Sequence, residues 1–393
     1  FGSSFLRSTT TRLHPPAGVM PAVVANGGES KKMADEYGTI NSDGSTAVIE
    51  EFMLDSGRIM HQVEVRYMTW GQLNEAQDNV IVVCHALTGN ANLEAWWGPL
   101  LGPGKPMDTR QYFVFCSNVL GSCYGTTGPT SIDPQTGKRY GGNFPKVTIR
   151  DMVRLQAEVL TKLGVKEVMC VIGGSMGGMQ SLEWAFEVRI PKVHSIAVIC
   201  ASGRHQPWQI GIGECQRQAI KRDPLWQNGN YSPEAPPADG LAVARMMAMV
   251  TYRTHPAYWT KFGRAVVSNP NRSRSYDVEN YLHQQGDKFV ARGFDACSYC
   301  VLTEAMDSHD VERGRGSYLD VLHSATLPAL IVSISSDVLY PMSEQLELSE
   351  NMPNAQHHLI QSDEGHDGFL LEHKEVGLLM RGFLGQVLCE RQP

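Results

Sequence analysis

Short apolar runs alternate with amphipathic stretches along most of the chain after residue 47. Residues 80–84, 112–118 and 168–172 are apolar runs of the kind found in strands that are buried on both faces. Before the third run, Thr148 and Asp151 form a capping-box pattern, and apolar residues then recur at helical spacing. This alternation predicts a mostly parallel sheet with helices on both faces.

Patterns at both ends of this series extend the predicted sheet. Residues 48–54 and 61–69 flank a turn-forming Asp-Ser-Gly at 55–57, which predicts a β-hairpin. Residues 193–200 and 327–333 are further apolar runs, and each adjoins a helical pattern. The strand series therefore continues to both sides of a long central segment.

That central segment, between about residues 203 and 322, has a different pattern. Helix-like periodicity occurs at 210–222, 240–252 and 277–284, between positions rich in Pro, Asn and Gly, and no clear strand is visible. We expect a helical lid inserted into the α/β domain and lying over the sheet. The expected organisation is a disordered N-terminal tail over 1–44, an α/β core over 45–202 and 323–390, and a lid over 203–322.

The composition is typical of a globular protein with a large core, because 42% of the 393 residues are hydrophobic and 19% are charged. The net charge of −7 does not favour binding to nucleic acid or to an anionic membrane surface, and we expect neither partner. No apolar run approaches the length of a membrane span. Nine cysteines without framework spacing are typical of reduced thiols in an intracellular protein.

The first 28 residues carry Arg7, Arg12 and several Ser and Thr, and Glu29 is the first acidic residue. This composition is similar to that of an organellar transit peptide, although a disordered tail is the favoured interpretation. We therefore expect a cytoplasmic protein, and a mitochondrial or plastid one if this segment is a transit peptide.

The stretch VIGGSMGGMQSLEW, residues 171–184, places Ser175 between two glycine pairs where a strand is followed by a helix. Residues 173–177 fit G-x-S-x-G, the nucleophile elbow. Small neighbours let the backbone pass through a strained turn, and the helix N-terminus offers N–H groups and a positive dipole end to an oxyanion. The flanking strand and helix favour a nucleophile over an ordinary glycine turn.

A serine nucleophile needs a base and an acid that orients the base, and in this fold type the chain order is Ser, Asp or Glu, His. Asp337 follows an apolar run in LPALIVSISSDVLYP, and His366 lies in a glycine-flanked loop in QHHLIQSDEGHDGF. Asp363 and Asp310 are rivals to Asp337, which is favoured because it directly follows a strand. For His366, an ordinary surface histidine is the alternative.

An oxyanion hole needs two backbone donors, one directly after the nucleophile and one after the third strand. Met176 supplies the first candidate, and Leu87, in CHALTG at 84–89, supplies the second. His85 precedes the serine in the chain, so we expect it to be a packed structural residue rather than the base.

Other motifs lack the spacing that their chemistry needs. The C-x-x-C at 297–300 has no second pair for zinc, and it lies in the helical segment rather than after a strand. The Gly-Lys-Arg at 137–139 lacks the phosphate-loop spacing, and H-E-x-x-H is absent from the sequence. We expect no metal, no bound cofactor and no nucleotide-phosphate loop.

Several longer stretches together resemble one family, the homoserine O-acetyltransferases, which are acyltransferases of the α/β-hydrolase fold. The resemblance covers about 45–385 and rests on HALTG (85–89), SNVLGSCYGTTGPTSIDPQTGKRYGGNFPKVTIRDMVRLQ (117–156), GGSMGGMQSLEW (173–184), TYR (251–253) and EGHDGFL (364–370). It implies ping-pong transfer of an acetyl group from acetyl-CoA, a co-substrate, to L-homoserine in methionine biosynthesis. It also implies a homodimer that forms through the lid.

The resemblance further implies individual roles. Ser175 would be acylated, with His366 as the base and Asp337 as its partner. Arg245, in GLAVARMMAMVTYR, would hold the substrate α-carboxylate, a task suited to the planar guanidinium. Asp367 would bind the α-ammonium, and Tyr252 is a weaker candidate for the same pocket.

Three alternatives stay open at this point. A serine hydrolase would share the catalytic residues but release acid without an amino-acid acceptor. A sister transferase could use L-serine or succinyl-CoA, because one methylene changes binding by only about 1–3 kcal/mol. A non-enzymatic binding protein of the same fold is disfavoured, because it would be expected to lack part of the catalytic set.

Overall fold

The computed structural model describes residues 44–187, 191–269 and 272–391, without the side chains of 268–274. The predicted N-terminal tail, except its last residue, lies outside the described residues. The described strands are, in chain order, β1 (Ser45–Met53), β2 (Ile59–Trp70), β3 (Val80–Cys84), β4 (Phe113–Ser117), β5 (Ile132–Asp133), β6 (Lys138–Arg139), β7 (Glu167–Gly174), β8 (Lys192–Val193), β9 (Ile196–Ile199), β10 (Val266–Asn269), β11 (Arg272–Tyr276), β12 (Ala329–Ile334) and β13 (Ala355–Ile360).

The described helices lie between or after these strands. They are α1 (Leu93–Trp97), α2 (Ile149–Lys162), α3 (Met176–Glu187), α4 (Pro207–Lys221), α5 (Ala238–Tyr252), α6 (His255–Phe262), α7 (Asp277–Ala291), α8 (Ala296–Asp307), α9 (Tyr318–Ser324), α10 (Met342–Asn351), α11 (Gly368–Leu371) and α12 (His373–Arg391). Within the described ranges, none of these helices is long and apolar enough to cross a membrane.

Among the described residues, nine strands form one sheet with the order β1-β2-β4-β3-β7-β9-β12-β13, and β8 pairs with β7. The β1–β2 hairpin and the β2–β4 pair are antiparallel, and the other pairs of this sheet are parallel. Side chains of β7 enter two apolar clusters, with Val171 in one and Ile172 in the other. This arrangement confirms the predicted α/β fold with a mostly parallel central sheet.

The capping box before α2 forms as predicted. Thr148 Oγ1 accepts the N–H of Asp151 at 3.1 Å, and Asp151 Oδ2 accepts the N–H of Thr148 at 2.9 Å. The other carboxylate oxygen, Oδ1, accepts the N–H of Asp55 in the turn of the β1–β2 hairpin at 2.6 Å. The buried side chain of Asp151 thus caps the N-terminus of α2 and connects this helix to the edge of the sheet.

The lid contains α4–α8, but the expectation that it has no strands was wrong. β10 and β11 form an antiparallel hairpin in which Val266 pairs with Tyr276. The sequence of β11, Arg-Ser-Arg-Ser-Tyr, lacks the apolar alternation of a half-buried strand, so periodicity gives no signal for it. The predicted boundary at 322 falls inside α9, and the domain limits stay a prediction.

The elbow between β7 and α3 depends on very close backbone packing. A Cβ atom added to Gly177 would lie 2.1 Å from the carbonyl oxygen of Cys84, at the end of β3. Backbone carbonyls in a paired strand cannot move away without breaking the ladder. Steric contacts therefore require glycine at position 177. At Gly211 on α4, by contrast, an added Cβ would have no atom within 4 Å.

We expect Gly177→Ala to destabilise the protein by about 1–3 kcal/mol or more, the usual range for overpacking in a buried site. Gly211→Ala is the matched control, and it should be neutral or stabilise by up to about 1 kcal/mol through helix propensity. Urea unfolding followed by circular dichroism measures both. Equal stabilities for the two variants would contradict the steric account.

Candidate active site

Ser175 lies at the sharp turn between β7 and α3, and its φ of 58° is in the left-handed region. Its N–H donates to the carbonyl of Ile199 on the neighbouring β9 at 2.9 Å. Its own carbonyl accepts the N–H of Gly178 at 2.8 Å and that of Met179 at 3.1 Å. These hydrogen bonds hold an unfavourable backbone conformation for a non-glycine residue, as expected for a nucleophile elbow.

Asp337 and His366 are brought together by two adjacent parallel strands. Asp337 follows β12, and His366 lies in a short 3₁₀ turn (Gly365–Asp367) after β13. The distance from His366 Nδ1 to Asp337 Oδ2 is 2.7 Å, and both side chains are buried. Asp337 Oδ1 accepts the N–H groups of Leu339 and Tyr340, each at 2.9 Å. The imidazole can therefore donate from Nδ1 and leave Nε2 as a proton acceptor.

The two rivals of Asp337 lie elsewhere. Asp310 accepts the N–H of Glu312 at 2.9 Å within a lid turn, and Asp363 lines a cavity next to Arg253 and Glu364. Of the three acids, Asp337 is the one that lies within hydrogen-bond distance of His366.

Aromatic rings enclose the imidazole of His366. The ring centroids of Tyr340, Phe369 and Tyr252 lie 5.2, 5.4 and 5.7 Å from that of His366. Phe369 also packs on the elbow, because a Cβ added to Gly174 would lie 2.5 Å from its ring. Phe369 therefore contacts both the strand end that carries Ser175 and the histidine. Sequence analysis did not identify Tyr340 or Phe369, since a ring in an apolar run gives no separate signal.

The two proposed oxyanion donors lie in segments that pack against each other. The first turn of α3, which begins at Met176, rests on the backbone of 84–85 through Gly177, and Gln180 Nε2 donates to the carbonyl of His85 at 3.2 Å. Within 44–187, 191–269 and 272–391, neither the N–H of Leu87 nor that of Met176 donates to a protein acceptor. Both remain available to an incoming oxygen.

His85 is a structural residue, as expected. Burial lowers its pKa to about 4, so the ring is neutral. Its Nε2 accepts the N–H of Val119 at 3.2 Å, and its Nδ1 lies 2.8 Å from the carbonyl of Ala86. The ring therefore braces the backbone next to Leu87.

Arg245 approaches the site from the lid. It is buried on α5, with its guanidinium carbon 5.2 Å from the ring centroid of Phe289 and 5.9 Å from that of Tyr252. Because Tyr252 also contacts His366, the structure places Arg245, Tyr252 and His366 in one contiguous cluster. The sequence could not show this convergence, since 121 positions separate Arg245 from His366.

Asp367 is buried next to His366, and it forms an ion pair that sequence analysis missed. The distance from Arg253 Nε to Asp367 Oδ2 is 2.8 Å. Arg253 also forms an ion pair with Glu364 through Nη1. Arg253 is the last residue of the TYR stretch, so the relevant segment was recognised but not this residue.

A small cavity of about 30 Å³ lies between the lid and the core, and Leu87, Tyr252 and Tyr340 form part of its wall. His205 and Asp307 line the same cavity: His205 Nε2 lies 2.9 Å from the hydroxyl of Tyr340, and His205 Nδ1 lies 3.2 Å from Asp307 Oδ1. A lid histidine and a lid acid thereby anchor the ring that packs against His366.

Cys200, Asp337 and His366 offer ligand atoms within 4.8 Å of one another, which raises the question of a metal. Burial, and then the nearby Asp337 carboxylate, raise the pKa of the Cys200 thiol well above its ordinary value, so it stays protonated. Asp337 and His366 already bond to each other. This donor set is suited to moving a proton rather than to binding an ion.

Comparison with known proteins finds a matching family model and relatives that share one name. The family model described as alpha/beta hydrolase fold matches residues 79–373. The homoserine O-acetyltransferase of Chlorobium chlorochromatii (strain CaD3) is 50% identical over 86% of this chain and 94% of that protein. That of Nostoc punctiforme is 53% identical over 82% of this chain and 90% of that protein.

Two solved structures are similar over most of the chain. Homoserine O-acetyltransferase from Bacillus anthracis superposes with a TM-score of 0.79 at 26% identity, covering 87% of this chain and 97% of that one. Esterase E22 gives 0.80 at 27% identity, covering 87% and 99%. Overall structure therefore does not separate a transferase from an esterase.

Glu344, on α10 behind Asp337, gives a test of the electrostatics. Burial above all, with repulsion from Asp337, raises its pKa to about 7, although Gln209 donates to it. Between the ordinary glutamate value and about 7 the folded protein binds this proton more tightly than the unfolded chain does. The contribution of Glu344 to stability is therefore lost as the pH rises through that range.

We expect Glu344→Gln to raise the free energy of unfolding relative to wild type by about 1 kcal/mol more at pH 8 than at pH 5, after allowance for solvent screening. Thermal unfolding at the two pH values measures this change. Glu350→Gln, at an exposed position of the same helix, is the control. The same difference between Glu344→Gln and wild type at both pH values would contradict the argument.

Proposed function

Since this chain belongs to the homoserine O-acetyltransferase family of the α/β-hydrolase fold, we propose that it transfers acetyl from acetyl-CoA to the hydroxyl of L-homoserine. The supporting observation in the structure is that a buried cation, Arg245, and a buried anion, Asp367, lie beside one serine-hydrolase-like site. An amino-acid zwitterion needs both charges, and a simple ester needs neither. The product, O-acetylhomoserine, would enter methionine biosynthesis.

The first half-reaction acylates Ser175. His366 Nε2 accepts the proton of the Ser175 hydroxyl as its oxygen attacks the thioester carbonyl of acetyl-CoA. The carbon–sulfur bond then breaks, and His366 returns the proton to the CoA thiolate. Asp337 stabilises the transient imidazolium through its 2.7 Å contact with Nδ1.

The oxyanion of each tetrahedral intermediate would accept the N–H groups of Leu87 and Met176. In comparable sites, removal of one such donor lowers the rate by an amount equivalent to about 2.7–4 kcal/mol. The helix dipole of α3 acts in the same direction, because Met176 is the first residue of that helix.

The second half-reaction uses homoserine as the acceptor. His366 accepts the proton of the homoserine hydroxyl, whose oxygen attacks the acetyl-serine ester, and Ser175 is released with that proton. Arg245 would hold the α-carboxylate and Asp367 the α-ammonium, with the Tyr252 ring between Arg245 and His366. The lid covers this site and limits attack by water.

We also propose that a second copy of this chain covers an exposed apolar stripe on the lid helix α5. Val243, Met247 and Val250 are 41%, 36% and 54% exposed, at the i, i+4, i+7 spacing of one helix face. Trp259 on α6 is 61% exposed. A homodimer that forms through the lids would bury this stripe and leave the surface of the α/β core exposed to solvent.

A Met247→Glu variant should shift the protein from dimer to monomer, because it places a charge in the middle of the apolar stripe. Light scattering coupled to size exclusion measures the mass. Leu378→Glu is the control, since Leu378 is equally apolar and 62% exposed but lies on α12 of the core. A monomeric wild type, or an unchanged Met247→Glu dimer, would refute the proposed interface.

The alternative function is that of an esterase, which the similarity to esterase E22 favours. The two activities differ in their need for the charged residues. In an esterase, Arg245→Lys would leave ester hydrolysis unchanged and amino acids would not accelerate CoA release. In the transferase, the same variant weakens use of homoserine because lysine cannot present a planar, two-pronged donor.

The decisive experiment is CoA release from acetyl-CoA with L-homoserine, L-serine or water as the acceptor. We expect homoserine-dependent release from the wild type and none above background from Ser175→Ala, whose folded state should be intact because only a hydroxyl is removed. Preference for L-serine would move the acceptor assignment to serine with the same mechanism. Equal rates with and without amino acids would contradict the transferase proposal.

A further inference from the structure

Arg253 joins two carboxylates of very different exposure. It follows Tyr252 at the C-terminal end of α5, with its Nε 2.8 Å from Asp367 Oδ2 and its Nη1 in an ion pair with Glu364. Only 6% of the Asp367 side chain is exposed, whereas 40% of the Glu364 side chain is. The guanidinium thus links the acid beside His366 to the protein surface.

Arg253 also borders a cavity of about 440 Å³ that Tyr258, Lys261 and Glu364 help to line. Elements on the lid and on the core form its walls, since Tyr258 and Lys261 belong to α6 and Glu364 follows β13. The Arg253 side chain therefore stands between this cavity and Asp367.

A buried carboxylate needs a nearby cation to stay ionised. Without one, loss of hydration favours the protonated form, and a neutral carboxyl attracts an ammonium group far less strongly. Arginine is suited to this role because it remains protonated and its fork can contact two acids at once. We infer that Arg253 is a positioning residue that keeps Asp367 ionised and oriented to bind the α-ammonium of the acceptor. This inference rests on the proposed function.

The other charged groups around the pair determine the direction of the pH effect. Glu364 and Asp363 on the same segment are acidic, and Lys261 on α6 is a second cation across the cavity. Burial raises the pKa of Tyr258, so its hydroxyl stays neutral at working pH. With Arg253 removed, Asp367 loses its ion-pair partner, while Glu364 and Asp363 stay on the same segment. Its ionised form should then require a higher pH.

The experiment compares two acceptors that differ only in the amino group, L-homoserine and 4-hydroxybutyrate. Arg253→Met should lower kcat/KM for homoserine by roughly tenfold or more at pH 6.5, because an adjacent opposite charge shifts carboxyl ionisation by about one to three pH units. The rate with 4-hydroxybutyrate, and the burst of CoA release during acylation, should be unchanged. The acid limb of the homoserine profile should move to higher pH.

Four further variants keep the inference falsifiable. Arg253→Lys retains the charge and should restore most of the discrimination between the two acceptors. Glu364→Gln leaves Asp367 with its cation and should also preserve it. Arg264→Met removes an exposed lid arginine and is the matched control. If Arg253→Met does not fold, Arg253→Gln provides the same charge removal.

Two results would overturn the inference. An equal loss with both acceptors would assign Arg253 a purely structural role. A gain with homoserine would mean that Arg253 competes with the ammonium for Asp367. A wild type that does not use homoserine at all would instead refute the proposed function, and that result is distinguishable because it appears before any substitution is made.

Discussion

The left-handed backbone of Ser175 is the constraint on which the rest of the structure depends. A non-glycine residue in this conformation is less stable by about 1–3 kcal/mol, so the surrounding fold must hold it. The N–H of Ser175 is bonded to β9, and the next turn of α3 rests on the end of β3 through Gly177. Three parallel strands thus fix one turn, and they place the buried Ser175 at the carboxyl end of the sheet.

The same edge of the sheet brings the remaining groups together. Asp337 and His366 follow β12 and β13, which pair in parallel register, so their side chains leave the sheet at neighbouring points. Rings rather than further hydrogen bonds then hold the imidazole, through Tyr340, Phe369 and Tyr252. A ring cage restricts the orientation of His366 but leaves its Nε2 available for proton transfer. This combination would suit the base of the proposed two-step transfer.

Features that depend on local patterns were predictable from the sequence, and features that depend on folding across the chain were not. The buried strands, the Thr148 cap and the position of Ser175 follow from spacing within a few residues. The ion pair between Arg253 and Asp367 joins residues 114 positions apart, so no local pattern encodes it. The β10–β11 hairpin was missed because the sequence of β11 lacks apolar alternation.

The charged residues of the candidate site are divided between the lid and the core. Arg245 lies on α5 and Arg253 directly follows that helix, whereas Asp367 belongs to the core turn that carries His366. The lid therefore contributes the cations and the core contributes the anion and the base. In the proposed function, neither part alone would provide a site for a zwitterion. Binding of the acceptor would then depend on how the lid rests on the core, whereas acylation of Ser175 would depend mainly on core residues.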